Sequence, residues 1–548
     1  MAAVTDREHK ADPGALTRRR FLQGVGTVAG AGAVLATMEA LDLVPDARRH
    51  TAPFRPPGRS DFALQGRANN TTVLVLGGGI AGLCAAYELE KAGYLCEVLE
   101  ARGRPGGRCW TVRGGISETD LDGVTQTAGF ADGHYMNAGP ARIPQHHTTL
   151  AYCRELGIPI EPFTNANADA YFFNEAAFGS RGPLTARAIR RRTAKADYFG
   201  YVSELLAKAI NQHALDADVT AADRDALLEF LTSFGALGPN GRYVGSDRRG
   251  YQTPPGAATE SGDVAEPYTL SDLLAANFGL YFPFELGWDQ AMMMFQPVGG
   301  MDRIPHALAD ALRGTIRYRA QVQQITVADD RVDVIFTGDD GGSLKVSADY
   351  CVCTIPPNVL ADIPSNLPVA VTSALSSVVP MSTGKIGLQF RRRFWEEDEQ
   401  IFGGITDTNL DIGTIWYPSH GYLGERGVLI GYYNYFEQSD AYAAMPPEER
   451  ERRALEQGIK VHGDPYRAEF ENSFSVHWTK IRHSEGGWAL WEDRSTSPSY
   501  RTLLEPVGRL YFAGDHLSYV TAWQHGAFES ARHVVTALHD RVLASAGQ

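Results

Sequence analysis

Three glycines, one acid, one arginine and one lysine carry most of the chemistry this sequence can offer. Gly77, Gly79 and Gly82 stand in G-x-G-x-x-G spacing directly after the apolar run Val73-Leu74-Val75-Leu76. The first glycine permits a tight turn, the second lets backbone approach a pyrophosphate, and the third lets a helix pack close on the strand. Glu100 follows at the distance where an acid grips a ribose hydroxyl. Arg142 stands between Pro140 and Pro144, so its guanidinium is aimed by a rigid turn and suits bidentate recognition of a carboxylate. A plain surface arginine is the alternative reading. Lys385 lies in the run Ser382-Thr383-Gly384-Lys385-Ile386-Gly387-Leu388. A lysine there needs either a buried partner or an exposed strand edge.

The elements that must position these groups read in register. Val73 to Leu76 has the look of a strand buried on both faces. A helix from about Ala81 to Lys91 aims its free N–H groups at the phosphates, Gly93 stops it, and a second strand from Cys96 ends at Glu100. Gly106-Gly107-Arg108 comes next. A nicotinamide site has no use for a second glycine pair there, whereas a longer flavin cofactor does. The run from Glu100 to Arg108, E-A-R-G-R-P-G-G-R, resembles that of the flavin-containing amine oxidase superfamily. The resemblance implies FAD, with Arg102, Gly107 and Arg108 among its contacts.

The chain has 548 residues and a net charge of −14, which suits two or three globular domains and argues against a nucleic-acid surface. Its six cysteines make no disulfide framework, and no metal site is expected. No cysteine follows Cys353, so the C-terminal cysteine that tethers flavin in some amine oxidases is absent and the FAD is expected to be non-covalent. Thr17-Arg18-Arg19-Arg20-Phe21-Leu22-Gln23 and the weakly apolar stretch after it fit a twin-arginine export signal over 1–40, implying a periplasmic or secreted protein. That stretch is too short for a stable membrane anchor. Residues 41–70 read as a linker or arm.

The expected fold class is α/β. A Rossmann-type, GR2-like FAD-binding domain is assembled from discontinuous segments at 71–150, 297–358 and 501–548. A helical, substrate-shaping block occupies 151–296, with helices at Ser203 to Leu215 and Ala221 to Phe234 and a solvated basic face at Arg187 to Arg192. A mixed-sheet substrate-binding domain occupies 359–500. Partner expectations are a small-molecule L-amino acid and O2, no nucleic acid, and a homodimer.

Asn137-Ala138-Gly139-Pro140-Ala141-Arg142-Ile143-Pro144 resembles the substrate-carboxylate motif of the L-amino acid oxidases within that superfamily. The resemblance implies that Arg142 grips the carboxylate and that Tyr417, in Ile415-Trp416-Tyr417-Pro418, adds a second hydrogen bond. Tyr432, Tyr433 and Tyr435 are then expected in the core. It further implies Lys385 bridged through water to flavin N5, Trp488 and Trp523 walling the substrate cavity, Trp523 also beside the cofactor, Val322 near the adenine, and Gly514 and Asp515 on the ribityl and pyrophosphate region. His146 and His147 read as structural or supporting residues. The implied reaction is oxidative deamination of L-amino acids, favouring bulky apolar or aromatic side chains, to 2-oxo acids, ammonia and H2O2. A primary amine oxidase and an L-amino acid monooxygenase share the fold and remain alternatives, as does a flavin-binding protein without turnover.

Overall fold

The apolar run after Thr71 becomes the central strand of a parallel sheet. The computed structural model describes residues 62–546 apart from Asn69, Ala291, Met292, Asp339 and Glu492. Thr72–Leu76 pairs with Leu95–Glu100 on one side and Tyr350–Cys353 on the other; Thr315–Tyr318 and Leu510–Phe512 complete the five-stranded sheet, and every pairing is parallel. The export signal expected over 1–40 lies outside the described residues, as does most of the arm expected over 41–70.

A parallel sheet needs cover on both faces. On one face pack the helices Ile80–Lys91 and Gln524–Ala546, whose Leu83, Ala86, Phe528 and Val535 close over Val73 and Val75. On the other lies a three-stranded antiparallel sheet, Val322–Val327, Val332–Thr337 and Ser343–Ala348, with Ile325 and Val334 against Leu74 and Leu76. Burial on both sides explains why Val73 to Leu76 is apolar without alternation. The five strands come from three distant stretches of chain, so their C-terminal ends meet only in the folded molecule, at the crevice where ligands bind such sheets.

The second large element is a seven-stranded mixed sheet in the order Ile189–Arg190, Tyr171–Phe173, Gly404–Thr408, Thr414–Tyr417, Gly427–Tyr435, Thr383–Phe390, Phe470–His477. One face covers a dense core that includes Phe390, Trp395, Tyr432 and Tyr466. The block at 151–296 gives this sheet two of its strands, so it is less purely helical than its periodicity suggested. Its helices are Arg191–Asn211, which begins well before Ser203, Ala221–Phe234 and the short Leu270–Ala276. The basic run at 187–192 is not simply a solvated face. Arg191 is 2% exposed and ion-paired with Asp407 and Glu285, tying the long helix to the sheet. Among the described residues no helix is long and apolar enough to cross a membrane.

Candidate active site

A cavity of about 550 Å³ runs along the C-terminal ends of the parallel strands and on toward the mixed sheet. Its first part is backbone. A Cβ on Gly82 would lie 2.0 Å from the Gly77 carbonyl, so the third glycine is required for helix and strand to approach. Gly79 differs: its φ of −76° suits any residue, and a Cβ there would meet nothing within 4 Å. What Gly79 keeps clear is cavity. The helix beginning at Ile80 has no side-chain cap and no acid in its first turn, which leaves its leading N–H groups and positive dipole end for a ligand anion. Gly106 N–H donates to the Gly78 carbonyl at 2.7 Å, fixing the second glycine pair beside the first.

Glu100 ends its strand in the same cavity, with Oε2 accepting from Gly78 N–H at 2.6 Å and Oε1 from Arg102 N–H at 2.8 Å. The carboxylate is thereby oriented, and its remaining lone pairs suit ribose hydroxyls. The Arg102 guanidinium donates to Ser484 Oγ at 2.8 Å and forms part of the wall. Val322 lines the cavity near Glu100, whose carbonyl accepts from Ala320 N–H at 2.9 Å. Arg108 donates to the Gly487 carbonyl at 2.7 Å and to Asp515 Oδ1 at 2.5 Å, joining the first glycine segment to the last. Burial alone would raise the Asp515 carboxyl, but Arg108, His516 and the Ala522 N–H together hold it below the usual range. Gly77, Gly107 and Gly514 line the same space. The uncapped helix, the clearance over Gly79 and the oriented acid fit a dinucleotide with a pyrophosphate.

Beyond the glycines the walls become side chains. Lys385 is 3% exposed, in a strand buried along its whole length, so the exposed-edge reading fails. Its Nζ donates to the Gly139 carbonyl at 2.5 Å and the Asn137 carbonyl at 3.4 Å, and lies 4.4 Å from the Tyr433 ring centre. Burial, with Arg142 nearby, lowers its ammonium to about 7. Trp478 Nε1 donates to the Ala138 carbonyl at 3.1 Å. Lysine and indole thus pin the loop that leads into Arg142. Gly139 allows the fit, since a Cβ there would lie 2.0 Å from the Arg108 carbonyl.

Arg142 immediately precedes Ile143–Pro144, which pairs with Met294–Pro297. Its guanidinium carbon lies 4.5 Å from the Trp416 ring centre and 5.5 Å from that of Trp523, which lines the cavity. Nη2 donates to Gln290 Oε1 at 2.9 Å, while Nε is buried without a partner. Burial pushes this guanidinium below its ordinary range. Trp488 also lines the cavity, edge-on to Tyr435 at 6.1 Å.

Tyr417 does not join them. It is 1% exposed in the core face of the mixed sheet, its hydroxyl bonded to Thr406 Oγ1 at 2.7 Å and His462 Nε2 at 3.0 Å. Side chains alternate along a strand, so it is Trp416, one residue earlier, that meets Arg142. The expectation that Tyr432, Tyr433 and Tyr435 are all core holds only for Tyr432, which bonds His477 Nε2 at 2.8 Å. Tyr433 lines the cavity, and Tyr435 stands 4.6 Å from it, ring to ring. Trp416, Tyr433, Tyr435, Trp478 and Gln290 were not expected at the site from sequence. Gln290 carried no local signal at all, being 148 residues from its arginine.

Comparison with known proteins accords with this geometry. YobN of Bacillus subtilis (strain 168), provisionally named an L-amino-acid oxidase, is 27% identical over 84% of this chain and 93% of its own. The L-amino-acid oxidase of Siganus canaliculatus is also 27% identical, over 87% of this chain and 86% of its own. Among solved structures, cyclohexylamine oxidase from Brevibacterium oxydans IH-35A superposes with a TM-score of 0.57 at 20% identity, covering 86% of this chain and 100% of that one. A putrescine oxidase mutant, made in a redesign of that enzyme's cofactor binding, gives 0.55 at 19% identity, over 87% and 99%. The flavin containing amine oxidoreductase family is matched from residue 80 to residue 539, taking in the mixed sheet, four of the five parallel strands and nearly all of the cavity. The chain therefore belongs to that family, and the dinucleotide its cradle takes is FAD.

Proposed function

We propose that this oxidoreductase deaminates L-amino acids oxidatively, preferring bulky apolar or aromatic side chains. The observation that carries the reading is Arg142. Its guanidinium is sandwiched by indoles and held by one amide, and no carboxylate among the described residues pairs with it. A substrate α-carboxylate supplies the missing partner. A simple amine would leave the cation desolvated and unpaired, which is costly. The names of the relatives point the same way.

The balanced reaction converts an L-amino acid, water and O2 to a 2-oxo acid, ammonia and H2O2. Held by the cradle of Gly79, Glu100 and Arg108, FAD would supply the redox chemistry, as acceptor for the Cα hydride and electron donor to O2. The protein binds and orients. Arg142 fixes the carboxylate, and the Tyr433 and Tyr435 hydroxyls are the donors that replace Tyr417 on that side. Trp488 and Trp523 flank the side chain and exclude water, so that binding energy becomes alignment. The substrate amine must be neutral for hydride to leave. With its ammonium lowered to about 7, Lys385 Nζ can take up or release a proton near neutrality. The FAD is read as non-covalent, so acid precipitation releases it all.

Peroxide release from L-phenylalanine and from phenethylamine, with product identification, tests the reading. The expected result is turnover of the amino acid alone, to the 2-oxo acid. Equal turnover of the amine, or an amide product, would sink it.

A further inference from the structure

Behind Arg142 the fold assembles a group that nothing in the sequence joined. His146 Nε2 lies 3.1 Å and His147 Nε2 2.9 Å from the same oxygen, Oδ1 of Asp289, although the aspartate is 143 and 142 residues away in sequence. One ligand atom from each of the three lies within 4.8 Å of the others. Adjacent histidines on a helix would diverge. Here both precede the helix Thr148–Glu155, and His147, its N-cap, is in extended backbone, so the two imidazoles can turn to one point. Neighbouring rings hold them there: His146 lies against Trp288 at 3.7 Å, and His147 stacks on His525 at 4.6 Å.

From these positions we infer that His146, His147 and Asp289 form a binding site for a divalent transition-metal ion of the zinc type. Two imidazoles and a carboxylate are a common donor set for zinc and its neighbours, with the fourth position left to water. Metal–ligand bonds of about 2.0–2.1 Å put tetrahedral ligand atoms roughly 3.3–3.4 Å apart. The two His–Asp separations, 3.1 and 2.9 Å, open to that spacing by a few tenths of an ångström. Binding shifts each ring's single proton from Nε2 to Nδ1, so both imidazoles stay neutral while two hydrogen bonds to Asp289 give way to three coordinate bonds. Access is open: the side chains of His146 and Asp289 are 21% and 24% exposed. Two imidazoles select against magnesium and calcium, which prefer oxygen donors. The site also has a neighbour that matters. Asp289 adjoins Gln290, the amide on Arg142, so an ion here would clip that loop to the Thr148–Glu155 helix.

The test is calorimetric titration of the tag-free, chelator-treated FAD holoenzyme with zinc chloride, with magnesium chloride as the control. His146→Ala and Asp289→Asn are compared after flavin absorbance and Tm confirm that each is folded. The inference expects saturable 1:1 zinc binding, no magnesium heat, and at least about tenfold weaker zinc binding in each variant. Should Asp289→Asn misfold, His146→Ala, which removes a half-buried ring, carries the test alone. Absence of a saturable zinc event in the wild type, or zinc binding unchanged in a folded variant, overturns it. Neither readout depends on which amine the enzyme oxidises.

Discussion

The pyrophosphate end of the cavity is made of backbone, and the end beside Arg142 is made of side chains. At the first, helix N–H groups and the clearance over Gly79 do the recognising, all within one short stretch of chain. At the second, Lys385, Trp416, Tyr433, Trp488 and Trp523 arrive from separate strands and loops, and each reaches the site only if its strand presents the right face. Backbone recognition tolerates little sequence change but is indifferent to what lies outside the motif. Side-chain recognition depends on registers set far away.

Perturbing the side-chain end should give the largest effect. Arg142→Met keeps the packing between Trp416 and Trp523 but removes the charge. Two charge-assisted hydrogen bonds at roughly 1.5–3 kcal/mol each predict a fall in kcat/KM for L-phenylalanine of about 10²–10⁴-fold. FAD content should not change, because the guanidinium is not part of the cradle. A variant that lost flavin as well would show that the two ends are not separable.

Gly79→Ala probes the other end. The residue's φ is ordinary and a Cβ meets no protein atom, so the variant should fold with an unchanged Tm as apoprotein. The methyl stands where the pyrophosphate goes. Overpacking at roughly 1–3 kcal/mol predicts FAD binding weaker by about 5- to 150-fold in a flavin titration. Unchanged affinity would mean that the pyrophosphate does not pass over this glycine.

This contrast also explains what was legible beforehand. Gly77, Gly79, Gly82, Glu100 and Gly107 are local, and spacing alone places them. The tyrosines required knowing which way each strand faces. Along Gly427–Tyr435 the register slips opposite Ile386 and Gly387, leaving Gly431 as the extra residue of a bulge. Leu429 and Tyr432 therefore share the core face, while Ile430, Tyr433 and Tyr435 lie on the cavity side, a parity that simple alternation gets wrong. The His146–His147–Asp289 group was illegible for another reason, since its third member is fixed only by tertiary structure.

Lys385 links the two ends, and pH reads it. Its folded pKa is lowered to about 7 from the usual 10.5, chiefly by desolvation. Below about 7 folded and unfolded chains both carry the proton, and the penalty for burying the charge is fully present. Between about 7 and 10.5 the unfolded chain holds a proton that the folded chain has released, so this residue's contribution to stability rises with pH across that window. Denaturant titrations at several pH values should show Lys385→Met gaining most over wild type at the acid end, with the advantage shrinking as pH rises. A pH-independent difference would refute the lowered pKa.

The smallest effects separate the tyrosines. Tyr433→Phe and Tyr435→Phe remove hydroxyls on the cavity side. At roughly 0.5–1.5 kcal/mol for a hydrogen bond, each should raise KM for L-amino acids by about 2- to 12-fold with little change in Tm. Tyr417→Phe should do the reverse. Its hydroxyl joins Thr406 to His462, which in turn bonds the part-buried Glu399 at 2.8 Å, and none of these residues lines the cavity. Removing it leaves Thr406 and His462 short of a partner and destabilises by about 1 kcal/mol, with KM unchanged. If instead KM rose while Tm held, Tyr417 would have to reach the substrate through a different pairing of its strand. A one-residue slip of that strand turns Tyr417 toward Arg142 and Trp416 into the core, so the KM-against-Tm split between Tyr417→Phe and Tyr433→Phe reports directly on the register that builds this end of the cavity.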